Sequence, residues 1–214
     1  MMALPARGFV WLSAPKCAST AVEEALDIHS AVVLRHEFKH LNYTGFTKRI
    51  EPMLLAFGHQ RSSYEVVCLF REPVSWLESW WRYRARPEIL ETAKAHNYTG
   101  DMSFDEFVTR YVDRHPSLKG IGRPARFCSY EGQVVGVDRL LRYESTDVWQ
   151  RYLTSHVGVD LGFRRANVSE RRPEPLDPGL RRRAEEFFAP EYDLYARLGA
   201  TGDWVPPRDH ALAL

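Results

Sequence analysis

Three short clusters in this 214-residue sequence carry the residue types that handle anions and protons. The first is Lys16-Cys17-Ala18-Ser19-Thr20, a cation followed by small residues that end in two hydroxyls. The second is Arg71, followed by Glu72-Pro73 and, eight positions after the arginine, by Ser79. The third is Arg35-His36-Glu37-Phe38-Lys39-His40, with two imidazoles among other charged groups. Cations beside unpaired backbone amides bind phosphate or sulfate groups. Histidine, with its ordinary pKa near neutrality, is suited to moving a proton. Cys17, Cys68 and Cys128 are too few and too widely spaced for a disulfide framework or a zinc site, so no metal is expected. This cysteine usage fits a reducing compartment.

The elements that must position these clusters can be read from hydropathy. Phe9–Leu12 is an apolar run that reads as a buried parallel strand and breaks at Ser13-Ala14-Pro15. A helix is expected from Thr20, with Thr20 and Glu23 spaced as a capping box and Val22, Ala25 and Leu26 on one face. Ala31–Leu34 reads as a second short buried strand, Glu65–Phe70 as the clearest one, and Arg139–Tyr143 as a fourth. Helices are expected over 46–57 with a kink or break at Pro52, from Pro73 to about Arg84, after Ser103, from Ser145 to about Val157, after Asp177-Pro178, and from Pro190 to a cap at Gly199. Residues 86–102 and 115–133 read as loops.

Strands alternating with helices predict an α/β fold of three layers, α/β/α, around a central, mostly parallel sheet. Ligands of such sheets bind beyond the carboxyl ends of the strands. That rule brings the Lys16 turn, the His36–His40 cluster and Arg71 to one rim. The length and a hydrophobic content of 44% suit one domain, 1–205, with 206–214 as a flexible tail. A formal net charge of +1 gives no general attraction to nucleic acid or an anionic membrane. With no apolar N-terminal stretch long enough for a signal or anchor, the expectation is a cytoplasmic protein. Oligomeric state is not indicated.

A nucleoside triphosphatase is the obvious reading of a strand–turn–helix with a lysine, but the G-x-x-x-x-G-K-[ST] pattern is absent. Here the lysine precedes the small residues, and the central strand ends in Arg71 where an aspartate would hold Mg²⁺. The pattern suits two separate anionic groups held without a metal. A metal-dependent P-loop kinase, a non-catalytic nucleotide-binding protein, and an ordinary turn with a solvated lysine stand as alternatives.

With its preceding strand, PKCAST resembles the 5′-phosphosulfate loop of sulfotransferases that use 3′-phosphoadenosine 5′-phosphosulfate (PAPS). FREPVSWLESWW resembles their 3′-phosphate motif. Weaker matches follow in order: the Arg35–His40 segment, RYES at 142–145, Asn167-Val168-Ser169, and FFAPEYDLYARLG near the end. The similarity is greatest to the carbohydrate-type, Golgi-like members and their soluble bacterial relatives. It implies a P-loop-like nucleotide-hydrolase fold and sulfuryl transfer from PAPS to an acceptor hydroxyl, without metal, releasing adenosine 3′,5′-bisphosphate (PAP). The acceptor is a small molecule or a carbohydrate.

By that resemblance Lys16 stabilises the leaving group, and Cys17, Ala18, Ser19 and Thr20 hold the 5′-phosphate. Arg71 and Ser79 hold the 3′-phosphate, and Asn167 and Ser169 belong to a loop that closes over the nucleotide. His40 is the first candidate for the base, His36 the second and Glu37 a lesser one, with Lys39 assisting at the sulfate. Trp76, Trp80 and Tyr83 lie near the acceptor if they face the cleft. The sequence departs from the pattern at Ala18 and Ser19, where glycine or threonine is usual. It departs again at Ala21, where cytosolic relatives place an aromatic residue beside adenine.

Overall fold

The computed structural model describes residues 1–100, 102–163 and 174–212. In chain order the strands are β1 (Met2–Leu4), β2 (Phe9–Leu12), β3 (Val32–Val33), β4 (Glu65–Phe70), β5 (Ser129–Tyr130), β6 (Val134–Val135), β7 (Arg139–Arg142) and β8 (Asp203–Trp204). The α-helices are α1 (Ser19–Leu26), α2 (Tyr43–Gly45), α3 (Glu51–Ala56), α4 (Pro73–Arg84), α5 (Phe104–Val112), α6 (Pro124–Phe127), α7 (Thr146–Val157), α8 (Pro178–Phe187) and α9 (Ala189–Leu198).

The main sheet has the order β3-β1-β2-β4-β7-β8. Its centre, β2-β4-β7, is parallel, with Val10 opposite Val66 and Cys68 opposite Leu140. β1 runs antiparallel to both β2 and β3, so β3 points the same way as β2. β8 closes the other edge antiparallel to β7. Both antiparallel strands escape a periodicity reading because two or three residues are too few to show a pattern. For the same reason the expected strand over 31–34 shrinks to two half-buried residues at the edge.

Strand alternation divides the core into two layers. On one side Phe9, Trp11, Val67 and Leu69 pack with Val22 and Leu26 of α1, Leu77 and Trp81 of α4, and Phe107 and Leu153 of α5 and α7. On the other, Val10, Leu12, Val66 and Cys68 meet Phe46, Ile50, Leu54 and the α9 residues Leu194 and Leu198. The three-layer α/β expectation is met.

Several local expectations are revised. α1 starts at Ser19 behind Ala18 in the left-handed region, with no side-chain cap, so the Thr20–Glu23 box does not form. Glu23 is drawn instead to Lys39, at 2.6 Å, and to Arg35, at 3.6 Å. Around Pro52 the chain stays helical through a π-helical turn, Phe46–Ile50, that runs into α3. Ser103 does cap α5, its Oγ accepting from the Glu106 amide at 3.1 Å. Loop 115–133 contains α6 and β5. Residues 206–212, expected as a flexible tail, return to the β5–β6 hairpin: the Leu212 amide donates to the Gln133 carbonyl at 2.7 Å and the Val135 amide to that of His210 at 2.9 Å.

Candidate functional site

The segments that follow β2, β3, β4 and β7 meet at one end of the sheet, because these four strands share a direction. The turn after β2 is strained. Lys16 and Ala18 both have positive φ, 63° and 49°. Outside glycine each such residue costs about 1–3 kcal/mol, a cost that collects at functional sites. The result is a concave run of backbone ahead of α1. No described residue accepts a hydrogen bond from the amides of Ala18, Ser19 or Thr20. Alternating backbone handedness of this kind aims amides at an anion.

Two contacts fix the turn from α4. The Trp76 indole N–H donates to the Pro15 carbonyl at 3.1 Å, and Arg71 Nη1 donates to the Lys16 carbonyl at 3.0 Å. Arg71 is nearly buried. Its Nε and Nη2 both donate to Ser75 Oγ, at 3.1 and 2.9 Å, and its guanidinium lies 4.5 Å from the Tyr143 ring centroid. Lys16 and Arg71 therefore belong to a single site.

The Lys16 side chain lies over the Tyr83 ring, Nζ 3.8 Å from its centroid and 5.4 Å from that of Trp80. Trp76, Trp80 and Tyr83 are spaced for one helical face, which is how α4 supplies all three. Burial pushes the Lys16 pKa down to about 7, and Arg86, Arg71 and Arg82 push the same way. No carboxylate among the described residues hydrogen-bonds Lys16 or Arg71.

Other expectations are refined. Glu72 caps the start of α4, its Oε2 accepting from the Ser75 amide at 2.5 Å. Glu72 also accepts from the Tyr192 hydroxyl and faces Arg181. What remains for an anion there is Arg71, which spends three N–H groups internally and has further donors. Ser75 holds that guanidinium, and Ser79, expected beside a 3′-phosphate, lies one turn further along α4 and is half-buried. Ser75 was legible only as a hydroxyl four residues after the arginine. Thr20 turns its hydroxyl to Lys39 Nζ at 3.3 Å, and Lys39 is engaged by Glu23. Asn167 and Ser169, with Arg171 and Arg172, lie outside the described residues.

The histidines separate. His40 Nδ1 is 2.7 Å from the Ser13 carbonyl, which can only accept, so Nδ1 carries the proton and Nε2 is left with its lone pair. The ring is exposed by area, yet the protein around it penalises the charged form and lowers its pKa, opposed by the Ser13 bond and assisted by Lys39. A neutral imidazole with a fixed tautomer can accept a proton. His36 and Glu37 are exposed in a separate short turn, with His36 at φ 53°. His40, with Arg71, Trp76 and Trp80, lines a cavity of about 240 Å³ at the rim, whereas His36 and Glu37 do not.

Fold and site together define an α/β protein with a strained, cation-rich strand–turn–helix at the carboxyl end of its sheet. No family model matches the sequence, and no curated protein does. Among solved structures it is similar to the crystal structure of a sulfotransferase from Alicyclobacillus acidocaldarius, at 14% identity and a TM-score of 0.45, over 86% of this chain and 92% of that one. So distant a likeness carries no weight for activity. No described helix is long and apolar enough to cross a membrane.

Proposed function

We propose that this chain is a sulfotransferase that moves a sulfuryl group from PAPS to an acceptor hydroxyl. The observation that carries the reading is the gathering of Lys16 and Arg71 at one strained turn, with no carboxylate among the described residues bonded to either. The residues fit a doubly anionic nucleotide: open amides at Ala18–Thr20 for one group and Arg71 for the other. Lys16 holds the charge that develops on the leaving group. Transfer joins the acceptor oxygen to sulfur, breaks the bond from sulfur to the 5′-phosphate oxygen, and leaves the hydroxyl proton for His40 Nε2. Ser19 and Thr20 supply hydroxyl donors beside the turn.

Calorimetry with PAP and with ATP, each with and without Mg²⁺, tests this. PAP is expected to bind without metal and more tightly than ATP. A requirement for Mg²⁺ with preference for ATP rejects the reading in favour of a kinase. Binding of PAP with no transfer to any hydroxyl favours a nucleotide-binding protein without catalysis. His40→Ala is expected to lower turnover by about 10²–10⁴ with PAP affinity held, while His36→Ala leaves turnover unchanged.

A further inference from the structure

α4 holds Lys16 at both ends. At the backbone, the Trp76 indole N–H and Arg71 Nη1 bond the carbonyls of Pro15 and Lys16. Two turns beyond Trp76, the half-buried Tyr83 takes the other end: Lys16 Nζ lies 3.8 Å from its ring centroid, so the charged atom itself reaches the ring. Edge-to-face packing fixes that ring. Tyr83 meets Trp80 at 5.8 Å and 79°, and Trp80 meets Trp76 at 6.2 Å and 80°. One aromatic ladder thus links the Pro15 turn to the tip of the Lys16 side chain. The acid on this stretch of α4, Glu78, is paired with Arg82 at 2.7 Å. The charged and titratable groups that face Lys16 are Arg86, Arg71, Arg82 and the Cys17 thiol. Arg86 approaches the same Tyr83 ring, at 5.7 Å.

We infer that Tyr83 is the positioning residue of Lys16, its ring holding the ammonium at the anion site by a cation–π contact in place of an ion pair. The identity of the anion rests on the sulfuryl-transfer reading; the hold on the lysine does not. A carboxylate at that position would neutralise the ammonium, and every incoming anion would have to displace it. A ring face attracts the ammonium through its quadrupole and leaves the full charge for the ligand. The size of the contact suits the group it acts on. With a pKa near 7, Lys16 is divided between ammonium and amine at neutral pH, and three arginines favour the amine. A desolvated cation–π contact is large enough to move such a balance about tenfold, or about one pH unit, towards the ammonium.

NMR of the full chain labelled at its lysine side chains tests the inference, with Lys16→Met to assign the signal. In the wild type the Lys16 ε-methylene protons are expected upfield of those of the other lysines, moved there by the Tyr83 ring current. Tyr83→Leu is expected to remove most of that displacement, to lower the Lys16 pKa by about one unit, and to weaken PAP binding at pH 8 by about tenfold in calorimetry. Tyr83→Phe keeps the ring and is expected to retain the signal position, the pKa and the affinity. An ordinary ε-methylene position in the wild type overturns the inference whether or not any variant folds. An unchanged Lys16 pKa in Tyr83→Leu overturns it too, as does an equal fall in Tyr83→Phe. A wild type that shows the upfield signal and the pKa response yet binds no PAP sinks the sulfuryl-transfer reading and leaves the hold of Tyr83 on Lys16 standing.

Discussion

The two ends of the central strands solve the same electrostatic problem in opposite ways. At the amino end Arg139 meets two carboxylates: its Nε and Nη2 donate to Glu65 at 2.9 and 3.0 Å, and its Nη1 to both oxygens of Asp203 at 2.8 and 2.7 Å. Tyr152 donates to Glu65 as well, at 3.0 Å, and the Arg139 bond holds the Glu65 carboxyl below its usual range. Arg61 pairs with Asp138 at 2.5 Å at the same end. At the carboxyl end Lys16 and Arg71 touch aromatic rings, a hydroxyl and a carbonyl. The nearby carboxylates of Glu72 and Glu144 are spent on α4's amides, Tyr192 and Tyr195. The paired cluster ties strands together, whereas among the described residues neither Lys16 nor Arg71 has a carboxylate partner.

The contrast is broken or sharpened by four experiments. Replacing Lys16 by methionine is expected to lower turnover by about 10²–10³, near 2.7–4 kcal/mol, measured as the rate of sulfate transfer at saturating PAPS. A loss of less than tenfold takes Lys16 out of the chemistry. Arg71→Ala should weaken PAP binding by about 2–4 kcal/mol in calorimetry. It should also lower the melting temperature, because the Lys16 carbonyl loses its donor. A binding loss under about 0.5 kcal/mol, the level of an exposed ion pair, removes Arg71 from the site.

At the opposite end Arg139→Met should cost about 1–2 kcal/mol of stability in urea, moderated by the partial exposure of Glu65 and Asp203, and leave PAP affinity unchanged. A change in PAP affinity larger than the change in stability would erase the distinction between the two ends. The smallest effect is in pH. Lys16 falls from 10.5 to about 7 on folding, so between those values the unfolded chain binds the extra proton and stability rises with pH. The melting temperature of the wild type should therefore gain on Lys16→Met as pH rises from 7 to 9. PAP should abolish that gain by restoring the ammonium, and at pH 8 its binding should take up a proton, read from heats in buffers of different ionisation enthalpy. A gain of the opposite sign would show that Lys16 is not desolvated.

Much of the site is local in sequence and was legible there. The strand β2, the turn and α1 are contiguous, as are β4, Arg71 and α4, so apolar runs and a helix-opening proline suffice to place both cations at strand ends. His40 could be ranked above His36 only as a preference. Its bond to the Ser13 carbonyl, which fixes the tautomer, spans 27 residues. The Thr20–Glu23 box failed because Lys39 and Arg35, distant in sequence, compete for Glu23. The second anion site narrowed because Glu72, adjacent to Arg71 in sequence, folds back to cap its own helix. Ring contacts of Tyr83 and Tyr143 with the two cations depend on side-chain direction, which periodicity narrows but does not fix.

By itself the sequence determined the three-layer architecture and the shared rim. Both follow from hydrophobic alternation and from the rule that strands pointing one way end on one side. Only the tertiary structure decided which cations are neutralised. Charge pairing depends on distance across strands and helices: Arg139 meets two carboxylates, and among the described residues Lys16 and Arg71 meet none.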